Sequence, residues 1–231
     1  MDTRFVVGMH HGIPIALGYL SVSFGFGILA VKSGLSVLAA TVISLTNLTS
    51  AGQAAGVAII AAGGTLLEMA LTQLTINLRY ALMALSLSQK LDESFTTPHR
   101  LLTAYGITDE IFAVASAQPG PLSPAYLYGL IAVSAAGWIG GTLLGAAAGQ
   151  LLPAALTDAM GIVLYGMFLA IIIPPARKER GIFFAVAAGA GLSLFFHFLV
   201  PGLSFGFAVI LSAVGAAALA ALFFPGKEAE A

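Results

Sequence analysis

Three long stretches of this chain contain no Asp, Glu, Lys or Arg: residues 33–67, 111–157 and 181–226. Apolar side chains fill most of each. One helix needs about 20 apolar residues to cross the roughly 30 Å hydrocarbon core of a bilayer. A charge at the helix centre costs roughly 2.5–3.5 kcal/mol on insertion scales. The two longer gaps are therefore each large enough for two crossings. The fold class this implies is all-α, a polytopic transmembrane helical bundle with several short, discontinuous helices.

Composition agrees: 59% of the residues are hydrophobic and 8% charged, where an ordinary soluble domain carries about 25% charged residues. Residues 1–231 are expected to make a single integral membrane domain, with the lipid bilayer as its surroundings. A net charge of -1 offers nothing to nucleic acid, and the absence of cysteine excludes disulfides and thiolate chemistry. Gly12 and Pro14 interrupt the first apolar run, which reads as the entry to a retained helix rather than a cleaved signal.

The first crossing is expected over 13–31, interrupted at Ser23-Phe24-Gly25-Phe26-Gly27. A short apolar segment at 36–48 runs into the polar cluster Thr46-Asn47-Leu48-Thr49-Ser50-Ala51-Gly52-Gln53. A long apolar helix should cover 54–72, followed by a short apolar stretch at 78–87. Residues 89–103 read as a loop and 105–118 as a short helix carrying Asp109 and Glu110. Pro119, Gly120, Pro121 and Pro124 mark a turn. Crossings follow at about 126–150, 158–174, 181–200 and 203–224. The basic cluster Arg177-Lys178-Glu179-Arg180 should face the cytoplasm, which places the C-terminal tail inside as well. Gly137, Gly141, Gly145 and Gly149 share one helix face and permit close backbone approach to a partner helix of this chain or another.

In hydrocarbon an unpaired backbone amide is costly, so irregular backbone survives only where it is buried or lines a cavity. Transporters use such breaks near the midplane to bind substrate. The breaks at Phe24–Gly27 and at 49–53 are therefore candidate sites, set against the ordinary abundance of glycine in membrane helices. Ionisable groups at membrane depth point to function by default, and four occur here: Glu68, Arg79, Asp109 and Glu110. Glu68, Thr72, Thr75 and Arg79 share a face if one helix continues through them. Glu68 and Arg79 would then lie about 16 Å apart at 1.5 Å rise per residue. Arg79 needs a closer partner, and Asp109 or Glu110 is the natural one. Snorkelling of Glu68 or Arg79 to an interface is the plainer alternative. His197 stands alone on an apolar helix, and His10 and His11 do not share a face, so no metal site is read. No hydrolase, zinc-protease or P-loop signature occurs, and no enzyme is expected.

Taken together, Gly12-Ile13-Pro14, Gly18, Ser23-Phe24-Gly25-Phe26-Gly27, Ser33-Gly34-Leu35-Ser36, Ala51-Gly52-Gln53, Ile76-Asn77-Leu78-Arg79-Tyr80 and Thr108-Asp109-Glu110-Ile111-Phe112-Ala113 resemble the AzlC family. The resemblance covers roughly residues 5–225. It implies the large subunit of a bacterial branched-chain amino-acid exporter in the cytoplasmic membrane, working with a small AzlD-type membrane protein. Valine, leucine, isoleucine and in some members methionine or toxic analogues would be its substrates. Tyr80 stands where the family frequently has His.

A zwitterionic substrate would then bind among Phe24, Gly25, Phe26, Gly52, Gln53, Asn77 and Arg79. Its carboxylate would meet helix N-terminal amides near Gly25 or Gly52 and Arg79. Its ammonium would meet Gln53 or Asp109, and its side chain Phe24 and Phe26. Proton coupling falls to Asp109, Glu110 or Glu68. A passive channel, a non-transporting subunit and a transporter of another small amphipathic metabolite are the alternatives. No cofactor is expected.

Overall fold

The computed structural model describes residues 3–149, 151, 153, 166, 168–170 and 172–225. Among them nine helices are delimited: α1 (Thr3–Lys32), α2 (Val37–Thr46), α3 (Ser50–Ala61), α4 (Leu66–Ser88), α5 (Thr97–Ala104), α6 (Asp109–Ser116), α7 (Pro124–Gly149), α8 (Arg180–Leu199) and α9 (Phe205–Phe223). Residues 172–178 are also helical. The crossing expected at 158–174 lies largely outside the described residues. No strand forms among the described residues, and α1, α7, α8 and α9 are each long and apolar enough to span a membrane. The chain is an all-α, multi-pass membrane bundle.

Contacts gather the described residues into two units. One comprises Met1–Ala54 with Asn77–Leu164, the other Ala55–Ile76 with Tyr165–Ala231. The first is built on α1 and α7, which run parallel. Gly137, Gly141 and Gly145 bring the α7 backbone onto the carbonyls of Ala16, Leu20 and Phe24, and Gly149 rests on Ile28. Gly8, Gly12 and Gly27 return the contact from α1, toward Tyr126, Leu130 and Thr142. A Cβ at Gly145 would lie 2.0 Å from the Phe24 carbonyl oxygen, so the glycine spacing is what lets the two backbones touch.

This packing corrects the first expected break. α1 is helical from Thr3 to Lys32 without interruption. Phe24, Gly25, Phe26 and Gly27 are part of its helix-helix seam, where glycine removes bulk rather than unwinding the backbone. The unwound site expected at Gly25 is therefore absent.

α1 stops at Gly34, whose φ of 91° only glycine adopts readily. The Gly34 and Leu35 amides bond back to Val31 and Ala30, the Schellman arrangement. Gly63 (φ 66°) ends α3 in the same way, with Gly63 and Gly64 donating to Ile60 and Ile59. The single helix expected at 54–72 is thus two helices broken at 62–65. Glu68 lies in the first turn of α4 rather than near the C-terminal end of a helix, and α4 runs on unbroken through the polar positions Gln73, Thr75 and Asn77 to Ser88. The expected loop at 89–103 contains α5, started by Pro98 in its first turn, where a missing N–H costs nothing.

In the second unit α8 and α9 form an antiparallel hairpin around Pro201-Gly202. Gly189 meets Ala216, Leu192 meets Gly215, and Phe184 packs on Phe223 and Phe224.

Candidate functional site

Two breaks in helical structure reach the middle of the first unit. The α5–α6 hairpin is anchored near the N-terminal ends of α1 and α7. His99 bonds the Tyr128 hydroxyl at 2.6 Å, and Lys90 caps the carbonyls of Ser116 and Gln118 at 2.6 and 2.7 Å. Asp92 pairs with Arg4 at 3.5 Å. The tip of the hairpin, Thr108, lies 2.6 Å from the Tyr19 hydroxyl at the midpoint of α1. Tyr19 is 15 residues beyond Arg4, so the tip lies about 22 Å along the α1 axis.

The other break separates α2 from α3 and is reached from the opposite end, after α1 has finished. Ser44, in the last turn of α2, bonds Thr142 of α7 at 2.7 Å. Gln53, in the first turn of α3, accepts from Trp138 Nε1 at 3.2 Å, near the midpoint of α7. Residues 47–49 between the helices are not helical. Thr49 caps α3 by accepting the Gly52 N–H at 3.2 Å, and Thr108 caps α6 by accepting from Ile111 at 3.4 Å.

Polar contacts, one aromatic ring contact and chain adjacency together link these breaks into a circuit. The Thr49 hydroxyl donates to Asn77 Oδ1 at 2.7 Å, and the Thr49 amide to Asn47 Oδ1 at 3.2 Å. The Gln53 amide nitrogen donates to the Asn47 carbonyl, and its oxygen also accepts from Ser44 at 3.2 Å. Trp138 packs edge-on against Tyr19 with ring centroids 5.3 Å apart. The Tyr19 hydroxyl donates to Glu110 at 2.5 Å. Beside Glu110, Asp109 holds Arg79 at 2.9 Å, and Arg79 lies two residues from Asn77 on α4. The pairing expected for Arg79 is thus present, with Asp109.

The circuit brings together Gly52, Gln53, Asn77, Arg79, Asp109 and Glu110 of the residues singled out in the sequence. It does not include Phe24, Gly25 or Phe26: Gly25 and Phe26 are buried and the Phe24 backbone lies on Gly145. Glu68 belongs to the second unit. The Gly52 amide and both ends of the Gln53 side chain are already engaged, so in this conformation they build the break rather than face a ligand. Arg79 and Asp109 differ: their side chains are 42% and 34% exposed, a charge pair open to exchange. Among the described residues no group of three His, Asp or Glu side chains could hold a metal.

Tyr19, Trp138 and Ser44 were not legible as site residues. A lone Tyr or Trp in an apolar helix has no periodic signature, and Tyr19 meets Glu110 across 91 positions of sequence.

The AzlC protein family model matches residues 14–152. The inner membrane protein YgaZ of Escherichia coli is 29% identical over 204 residues, covering 84% of this chain and 83% of its own length. An uncharacterized membrane protein of Archaeoglobus fulgidus is 33% identical over 202 residues, covering 86% and 87%. An uncharacterized membrane protein of Helicobacter pylori is 28% identical over 172 residues, covering 73% and 74%. No solved structure matches the chain significantly.

Proposed function

From the chain's membership of the AzlC family, we propose that it is the large subunit of an exporter of branched-chain amino acids, coupled to protons and assembled with a small AzlD-type membrane partner. One observation carries the reading: the Arg79–Asp109 pair, at 2.9 Å, lies beside two helix breaks that meet at the midpoint of α1 and α7. A zwitterion presents one anion and one cation, and can replace this pair charge for charge. Arg79 takes the substrate carboxylate through two parallel N–H bonds, and Asp109 takes the ammonium. When the substrate leaves, the pair closes again, so neither state leaves an unpaired charge at membrane depth.

The neighbouring Glu110, bonded to Tyr19, is the carboxylate that accepts the coupled proton without breaking the charge pair. Discontinuous helices at mid-depth are the usual setting for a transported ligand, and a ring of like polar groups, which a channel would need, is absent among the described residues.

The experiment is efflux of preloaded radiolabelled valine and leucine from cells expressing the chain, with and without a small AzlD-type partner. Faster efflux with both, lost in Arg79→Met, supports the exporter. No acceleration from a correctly inserted chain with a co-purifying partner overturns it.

A further inference from the structure

We propose that the N-terminus of α9 is a carboxylate-binding site, filled in this conformation by the chain's own Glu68 and open to a free carboxylate when Glu68 withdraws. Its place in transport rests on the exporter reading; its chemistry rests on the second unit alone.

Thr65-Leu66-Leu67-Glu68 has the spacing of a capping box, and the Thr65 hydroxyl accepts the Glu68 N–H at 3.1 Å. In that motif the glutamate folds back onto its own helix start. Here it reaches a different helix. Glu68 Oε1 accepts the Gly206 N–H at 2.7 Å, and the Ser204 hydroxyl bonds the same carboxylate. Ser204 is the residue before α9, a helix of 19 residues, whose N-terminus carries roughly half a positive charge and unpaired amides. Such an end binds anions, and Glu68 is the anion in place. It is 4% exposed, and no cation pairs with it among the described residues.

A second, independent feature points to the same spot. Thr72, one turn after Glu68, is fully buried, and its hydroxyl has no hydrogen-bond partner. A Cβ placed on Gly206 would lie 2.7 Å from that hydroxyl oxygen and 2.5 Å from Glu68 Cγ. The lack of a side chain at Gly206 therefore lets a carboxylate and the Thr72 hydroxyl lie directly against the start of α9, and Thr72 supplies a donor that the tethered carboxylate leaves unused. A free carboxylate, not tied to α4, can take the Gly206 amide, the Ser204 hydroxyl and the Thr72 hydroxyl together.

Among the described residues no other titratable side chain faces Glu68 from the elements around it. α3, α9 and the 200–204 turn contain none, and those of α8 are Arg180 at its far end and His197 in its last turn. A proton on Glu68 removes the charge by which the helix end holds it. The proton stays on the glutamate carboxyl, the side chain departs, and a free carboxylate occupies the amides. Protonation of Glu68 and carboxylate binding at this helix end then become one exchange.

The test is thermal melting of the full-length chain in detergent, for wild type and Glu68→Ala, in sodium formate against equal sodium chloride. Formate is expected to raise the melting temperature of Glu68→Ala and to leave the wild type unchanged, since only a vacated site gains a ligand. Adding Thr72→Val should weaken the formate response several-fold. A folded Glu68→Ala chain indifferent to formate overturns the proposal, and so does an equal response in wild type. An equal response to chloride overturns the assignment to a carboxylate. Should Glu68→Ala not fold, Glu68→Gln serves by the same criteria, because its uncharged amide yields to formate. A formate response in a chain that gives no valine or leucine efflux even with its co-purifying small partner leaves the site standing and removes the exporter reading.

Discussion

The Tyr19 hydroxyl donates a hydrogen bond to the Glu110 carboxylate across 2.5 Å, fastening the middle of a membrane helix to the tip of a short hairpin. Tyr19→Phe keeps the ring against Trp138 and deletes this bond together with the 2.6 Å contact to Thr108. A fully buried acceptor left without its donor costs about 1–3 kcal/mol, and for the part-buried Glu110 the lower end of that range is expected. The variant should melt several degrees lower and lose part of its efflux, whereas adding Glu110→Gln should recover stability without recovering efflux. Melting in detergent and radiolabelled efflux check the two halves.

Gln53 ties together Asn47, Ser44 and Trp138. Trp138→Phe removes one of these bonds, worth about 0.5–1.5 kcal/mol. Gln53→Leu removes all three bonds at once, leaving Ser44 only its bond to Thr142, and should cost more. Melting curves that rank the two variants in the opposite order would show the break to be held by something else.

Arg79→Met and Asp109→Asn each leave a half-exposed charge unpaired. The pair falls between surface and buried limits, so a coupling on the order of 1–3 kcal/mol is expected. The double variant should therefore be more stable than the sum of the singles, and all three should be inactive in efflux. A double-mutant thermal cycle with efflux alongside separates the pair's contribution to stability from its contribution to transport.

The glycines of α7 are not equivalent. A Cβ at Gly141 would sit 2.4 Å from the Leu20 carbonyl oxygen, and one at Gly145 2.0 Å from that of Phe24, while at Gly140 the nearest atom is 4.0 Å away. Gly141→Ala and Gly145→Ala should each destabilise by about 1–3 kcal/mol or more, and Gly140→Ala should be nearly neutral. Size-exclusion profiles and melting temperatures of the three variants check the order.

The spans of α1, α7, α8 and α9 and the glycine stripe were legible because hydrocarbon imposes a strict rule on charge, and backbone contact a strict rule on side-chain size. The pairing of Arg79 was legible for a related reason: a buried charge requires a partner, and few were on offer. Phe24–Gly27 misled because glycine serves close packing and unwinding alike, and only the facing helix decides between them. At 63–68 the signal was present but weak, a Gly-Gly pair followed by Thr-x-x-Glu, which reads as one helix stopping and another starting. Tyr19 and Trp138 gave no signal, since their partners are set by tertiary contact alone.

The parallel course of α1 and α7 fixes a matter of sidedness. Two spanning helices that point the same way begin on one face of the bilayer and end on the other. The polypeptide between them must therefore make an odd net number of passages, however its short helices divide the work. Thr3, Asp92 and Gly120 then share one compartment, and Gly34 lies in the other. The chain contains no cysteine, so single cysteines placed at these positions would answer to an impermeant thiol reagent from one side only. The two broken segments are approached from different compartments, α5–α6 from the first and α2–α3 from the second.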